Sequence, residues 1–517
     1  MNFLKKQIKQ NDFFGIIIIS IFSVAANQYY GNIGVFPHDS FSHFETGKMI
    51  LNGYHPFNDF WVVSGPFIDY FQAFLFYLFG ISWKTYVFHA SLINLIVTVS
   101  TFLVLRNLNL EFKKSLFFAL CFSILAYPSS GTPFVDHHSA FLSLIGVYLI
   151  IIGIKKDSKY LSFFISIFFI LGFMSKQVPS IYILISTVPA LIVYAFYNKK
   201  FFLVTGFIYG FVFSISTLLI FGIISGINLS NFIEQYLFYP QSIATNRIAK
   251  FEISIIGVLG NFKFIFLSLL ILIAANINIF KSNKIFKNKN IYYIYIILIS
   301  AIVLIFHQVL TRNQIFIFFL IPLIIGIANL SIENKIFKIV AIILCLGSTV
   351  KYHERFNENR KFHDLQDVNL NKAIDANFID KKLNGLRWIS PQFKHSPKKE
   401  IENINEIIKI LKKDTRKKMV LGNYPFLSII IEEELFSTSR WHVFDGTDYP
   451  QVGNHYFNSY KNLFIKKIKD NEIEVIYTIL PVNSPQIYNY IEKKCFKKKQ
   501  IKEFIASHTI KKCDNFN

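Results

Sequence analysis

The sequence predicts a polytopic α-helical membrane protein followed by a small extracytoplasmic α/β domain. Three observations carry that reading. Mean hydropathy is +0.41 over 517 residues, with 53% hydrophobic and 17% aromatic side chains, which is too apolar for an ordinary soluble enzyme. The apolar residues fall in long blocks suited to a hydrocarbon core ~30 Å thick, which takes about 20 residues per helix. From about residue 351 the composition turns charged and polar, with Pro- and Asn-containing joints. The expected division is therefore 1–350 for the membrane domain and 351–517 for the soluble one.

About eleven spans are expected, near 13–33, 83–105, 115–130, 138–154, 160–175, 178–197, 201–226, 258–280, 291–309, 314–330 and 335–350. Pro66 to Gly80 is apolar but short, and reads as interfacial or re-entrant. Lys and Arg sort by alternate loops. Lys5, Lys6 and Lys9 precede the first span, and Arg106, Lys113, Lys155, Lys156, Lys199, Lys284 and Lys335 follow on the same side. Cation-rich loops stay cytoplasmic, so the N-terminus is expected inside and everything after residue 350 outside, in a bacterial inner membrane. The first span ends in Ser23-Val24-Ala25, which resembles a secretory cleavage site; an uncleaved anchor is expected, because cleavage would leave the loop after it unsupported. The formal charge of +22 follows from these loops and a Lys-rich composition. It forms no single stripe, so nucleic acid is not an expected partner.

In the C-terminal domain the pattern predicts helices over 399–413, 425–434, 452–469 and 484–494. Strands are expected over 418–422, 441–444, 474–480 and 502–509. Helices alternating with strands predict a largely parallel sheet. No glycine-rich phosphate loop is present, since Gly422 and Gly446 stand alone. Cys495 and Cys513 lie in this exported region and are candidates for a disulfide; Cys121 and Cys345 lie in spans and read as packing residues.

The loop after the first span, about 37–66, is the most chemically equipped segment. It opens with Pro37-His38-Asp39-Ser40 and runs through Gly53-Tyr54-His55-Pro56-Phe57-Asn58-Asp59-Phe60 to Ser64-Gly65-Pro66, with His43 and Glu45 between. Asp39 sits where the first span emerges, and a carboxylate at that depth is expensive and commonly functional. It could act as a general base on an acceptor hydroxyl. Equally, it could cap a helix over Ser40 to Leu51.

Together with Leu78-Phe79-Gly80, Phe134-Val135-Asp136-His137-His138 and Leu171-Gly172-Phe173-Met174-Ser175-Lys176-Gln177, this loop resembles the GT-C membrane glycosyltransferases. The closest likeness is to bacterial relatives of the protein O-mannosyltransferases and of the lipid A aminoarabinose transferase. The resemblance implies transfer of a sugar from a polyprenyl-phosphate carrier to a glycan, lipid or protein acceptor outside the cytoplasm, with Asp39 as catalytic base. Direct displacement would invert the anomeric centre. Many relatives carry a second acid next to the first; Ser40 stands there in this chain, leaving Glu45, Asp59 or Asp136 to compensate.

Other candidates line the same predicted face. Lys176 with Gln177 ends a span and could hold the carrier phosphate, or simply snorkel to the interface. Asp136 and His137 could bind substrate. A divalent cation could be held there too, but adjacent histidines on a helix face apart and no further ligands stand at known metal spacings. Arg247 and Arg312 could clamp phosphate oxygens or serve as interfacial anchors. The competing function is a transporter or flippase of lipid-linked sugars, which would place ionisable residues near the midplane of a repeated fold. No repeat is evident, and the ionisable residues gather at one face. A non-catalytic assembly protein would leave the loop's Asp and His residues unexplained.

Overall fold

The computed structural model describes residues 10–126, 131–249, 254–280, 285–311, 317–443, 445–482 and 484–511. The chain divides into two compact units. One comprises Met1–Asn32, Val87–Leu219 and Phe251–Asp367; the other comprises Ile33–Tyr86, Ile220–Lys250 and Val368–Asn517.

The first unit is helical, and each expected span falls on a helix. Eight helices among the described residues are long and apolar enough to cross a bilayer: Gln10–Gly31, Trp83–Asn107, Val135–Lys156, Gln177–Tyr197, Phe202–Ile224, Ile255–Ala275, Lys289–Thr311 and the stretch beginning with Lys335–His353. Three are shorter, Phe112–Leu125, Lys159–Ser175 and Leu320–Ala328. Residues 127–130 and 312–316, into which two expected spans extend, lie outside the described residues.

Packing in this unit uses small and polar residues, as apolar surroundings require. Gly206 and Gly210 stand four apart on Phe202–Ile224, and a Cβ at Gly210 would collide with the Phe163 carbonyl. The helix Trp83–Asn107 carries a buried polar seam at Ser91, Asn94, Thr98 and Thr101, spaced three and four apart so that all share one face. Asn27 Nδ2 donates to Ser91 Oγ at 3.1 Å, Asn94 Nδ2 to the Ser123 carbonyl at 3.1 Å, and Thr101 pairs with the Tyr148 hydroxyl at 2.8 Å. Such interhelical bonds are worth about 0.6 kcal/mol each, so their number rather than any one fixes helix register.

The second unit holds the sheet. A short antiparallel pair, β1 (Ile374–Asp375) and β2 (Arg387–Trp388), takes on residues 33–35, whose Gly34 and Val35 amides donate to the carbonyls of Arg387 (3.0 Å) and Ile389 (2.9 Å). The main sheet runs β3-β4-β6-β5, with β3 (Lys418–Leu421) parallel to β4 (Val475–Ile479). β6 (Ile505–Ile510) is antiparallel to both β4 and β5 (Phe496–Lys502). The helix Pro397–Lys413 buries Ile401, Ile404, Ile407, Ile408 and Leu411, the stripe expected of an amphipathic helix. Trp61 packs with Met419, Tyr460 and Phe464 in one core cluster.

The sheet departs from expectation. Only the β3–β4 pair is parallel, because the turn joining β5 to β6 is too short for a crossover and must make a hairpin. β5 is not legible in the sequence, because Phe496-Lys497-Lys498-Lys499 reads as a solvated charge run, and those lysines are exposed on an edge strand. Residues 441–443 form no strand: side chains hold them, with the His442 amide donating to Asn423 Oδ1 at 3.2 Å. Residue 444 lies outside the described residues. The helix expected over 484–494 is only Ser484–Ile487, followed by a 3-10 turn at Lys493–Cys495. Cys495 is buried and disulfide-bonded, while Cys121 and Cys345 are free thiols. Cys513 lies outside the described residues.

Candidate functional site

In the first unit, Asp136 begins the helix Val135–Lys156, whose N-terminal dipole favours a carboxylate. It is 4% exposed. Both of its oxygens accept from Lys176 Nζ at 2.8 Å, and Oδ1 also accepts from His307 Nε2 at 2.9 Å. Lys176 reaches it because the chain breaks there between Lys159–Ser175 and Gln177–Tyr197. Its backbone is extended at φ −162, ψ 138, and its carbonyl accepts from Ser139 Oγ at 2.9 Å. A buried carboxylate needs a cation and further hydrogen bonds, and this one has both. Lys176 keeps 21% of its side chain exposed, so the cation remains reachable while its position is set from behind.

The adjacent histidines have separate surroundings. His137 is fully buried between the rings of Phe134 (6.0 Å) and Phe141 (5.7 Å). His138 Nδ1 lies 3.0 Å from the Phe134 carbonyl and so carries the proton that it donates; its Nε2 then accepts from His89 Nε2 at 2.9 Å. Gln177 opens the helix Gln177–Tyr197, half-buried. Among the described residues no group of three or more His, Cys, Asp and Glu could hold a metal ion. Arg312 lies outside the described residues. Arg247 is in the helix Tyr239–Ala249, with its side chain outside them.

In the second unit the loop after the first span forms two helices, Pro37–Ser40 and Phe44–Leu51, rather than one. Asp39 lies inside the first. The second has His43 at its N-cap position, with no side-chain cap bond. The capping role considered for Asp39 is therefore absent. Its side chain is 29% exposed, and His38 Nε2 stands 3.9 Å away. His38 itself packs 6.2 Å from the Trp441 ring, and burial lowers its pKa to about 4. A neutral imidazole thus lies beside Asp39.

The loop's other acids have structural partners. Asp59 Oδ2 accepts from the His55 amide at 2.7 Å, closing a local turn, and its carbonyl accepts from Lys467. Glu45 has its pKa raised by burial. A further acid, one that the sequence did not single out, gathers three donors. Asp69, in the helix Pro66–Phe79, is fully buried; His43 Nδ1 (2.7 Å), Thr46 Oγ1 (2.5 Å) and Arg440 Nη2 (2.5 Å) all donate to it. Burial alone would raise its pKa, but Arg440 and His43 hold it below the usual carboxylate range. The only sequence signal was an acid inside an apolar helix; its partner Arg440 is 371 positions away. Beyond Arg440, Asp448 is 2% exposed and pushed up to about 7 by burial.

A solved structure of ArnT from Cupriavidus metallidurans in the apo state aligns with 96% of this chain and 98% of its own, at TM-score 0.55 and 10% identity. A second, of the same protein bound to undecaprenyl phosphate, aligns over 96% and 97% at TM-score 0.51 and 10% identity. The chain folds like ArnT. The likeness covers nearly the whole of both chains, and at this identity it is one of fold. It bears out the expected fold class, a helical membrane protein with a small C-terminal α/β domain. No protein-family model and no curated protein matches the sequence.

Proposed function

We propose that the chain is an inverting glycosyltransferase that moves a sugar from a polyprenyl-phosphate carrier to an acceptor on the non-cytoplasmic face of a bacterial inner membrane. The observation that carries this is the fold shared with ArnT across nearly the whole of both chains, one ArnT structure being bound to undecaprenyl phosphate. In this reading residues 1–350 form the catalytic membrane domain, with the N-terminus cytoplasmic, and 351–517 the exported domain.

The chemistry follows from the donor. The bond from the anomeric carbon to phosphate oxygen breaks with its electron pair, leaving polyprenyl phosphate as a stable anion. That side of the reaction needs positive charge rather than a proton donor. Lys176, aligned by Asp136 and His307, supplies one cation, and Arg247 and Arg312 are proposed as further phosphate contacts, with Gln177, Asp59 and His137 as candidate substrate contacts. On the other side the acceptor oxygen attacks the anomeric carbon and gives its proton to Asp39. Asp39 suits that role because 29% of its side chain is exposed, whereas Asp69 and Asp136 are buried.

The test is reconstitution in liposomes with radiolabelled polyprenyl-phosphate sugars and membrane acceptors. Label appearing in the acceptor, with free polyprenyl phosphate released, is expected. Carrier crossing the bilayer with no label transferred would make the protein a flippase instead.

A further inference from the structure

At the carboxyl ends of β3 and β4 the second unit opens into a cavity of about 460 Å³. Tyr424 follows β3, Leu480 follows β4, and Phe504 lies in the turn between β5 and β6. Gln392 and Phe393, from the 3-10 turn Pro391–Phe393, and Asn403, from the helix Pro397–Lys413, complete the walls. We propose that this cavity binds a neutral sugar ring, as a subsite for the acceptor glycan. That the sugar belongs to the acceptor rests on the transferase reading; the binding itself does not.

Four observations point to that ligand. Ligands of open α/β sheets bind beyond the carboxyl ends of parallel strands, and β3–β4 is the parallel pair here. None of the described residues lining the cavity is charged, in a chain of formal charge +22. A phosphate or carboxylate would therefore find no cation, so an anionic ligand is disfavoured. Besides the Tyr424 hydroxyl, which donates to Glu400, the polar side chains present are two carboxamides, Gln392 and Asn403, each offering both donors and acceptors, as vicinal hydroxyls require. The rings of Phe393, Tyr424 and Phe504 supply electron-rich faces that attract polarised C–H groups, which a pyranose presents on one side.

The walls are also held in place. Glu400, fully buried, accepts from the Tyr424 hydroxyl (3.1 Å), Trp388 Nε1 (2.8 Å) and Ser390 Oγ (2.7 Å). The Leu480 amide donates to the Phe504 carbonyl at 3.0 Å, joining two lips of the cavity, and Leu480 remains 51% exposed at the rim. A preformed pocket of a few hundred Å³ with apolar walls and a few placed polar groups is what small-ligand sites look like.

The experiment measures binding of three neutral trisaccharides, chitotriose, cellotriose and mannotriose, to the full-length protein in nanodiscs by saturation-transfer NMR. Saturable binding of at least one is expected, weakened about tenfold by Phe504→Ala and by Gln392→Ala through lost stacking and hydrogen bonding. Gln392 is exposed, so its variant keeps the fold. Asp39→Asn should bind the trisaccharide unchanged. No binding, binding indifferent to both substitutions, or displacement of the sugar by a proline-rich peptide would each overturn the proposal. Binding with no sugar transfer by the wild type would leave the cavity's ligand intact and remove its assignment to an acceptor.

Discussion

Replacing Arg440 with Met strands Asp69. The carboxylate is fully buried, and Arg440 Nη2 at 2.5 Å is its one cationic partner of fixed charge, beside His43 at 2.7 Å and Thr46 at 2.5 Å. Removing one member of a buried ion pair costs about 3–5 kcal/mol, because the remaining charge stays in a low dielectric. Methionine keeps much of the arginine stem's packing, so the loss is mainly electrostatic. At about 2–4 °C per kcal/mol for 150–250 residues, Tm should fall by about 6–20 °C. Differential scanning fluorimetry of the detergent-solubilised protein at pH 7.5 reads this directly. The double variant Arg440→Met, Asp69→Asn removes both charges and should recover most of the loss, a coupling of about 2 kcal/mol or more. The pH dependence has a defined sign. Asp69 has a depressed pKa in the folded state, so its contribution is present above the unfolded value of 3.8 and is lost as pH falls through the folded one. The gap between wild type and Arg440→Met should accordingly narrow in acid. A single variant melting within about 2 °C of wild type, or a double variant less stable than the single, would refute the reasoning.

Three further outcomes are expected. Lys176→Met should destabilise the protein more than Lys176→Met with Asp136→Asn, since only the single variant leaves Asp136 charged and short of a cation; comparative melting of the two checks it. Asp448, pushed up to about 7 by burial from the ordinary 3.8, binds its proton more tightly when folded, so stability should fall as pH rises between those values, by up to about 4 kcal/mol at 1.36 per unit. Asp448→Asn should flatten that slope, and an unchanged Tm-against-pH profile would count against it. Alkylation without reductant should leave Cys495 unlabelled, and peptide mapping should recover it joined to Cys513; a labelled Cys495 would contradict the bond.

The membrane helices were legible because long apolar blocks and alternating loop charge are local signals. Each expected span fell on a helix, though Leu320–Ala328 is shorter than composition suggested. The Asp136–Lys176 pair was half legible. Both residues stood out by breaking the pattern of their surroundings, but nothing in the sequence told that they meet, or that His307 closes the cluster from a helix 171 positions on. Asp69 and Arg440 illustrate the limit more sharply. An acid in an apolar helix and an arginine in an irregular stretch acquire meaning only through burial against each other. Strand direction is not legible for a related reason: alternation of helix and strand suggests crossovers, whereas pairing depends on the length of each connection, and the β5–β6 link is a tight turn.

The most direct test of the central claim is the initial rate of sugar transfer from a polyprenyl-phosphate donor by wild type and by Asp39→Asn, with equal folding verified by melting. Loss of a positioned general base removes about 10²–10⁴ in rate, so the account predicts a fall of at least about 100-fold with donor binding retained. Transfer by Asp39→Asn within about threefold of wild type would contradict it, because no general-base role is that small.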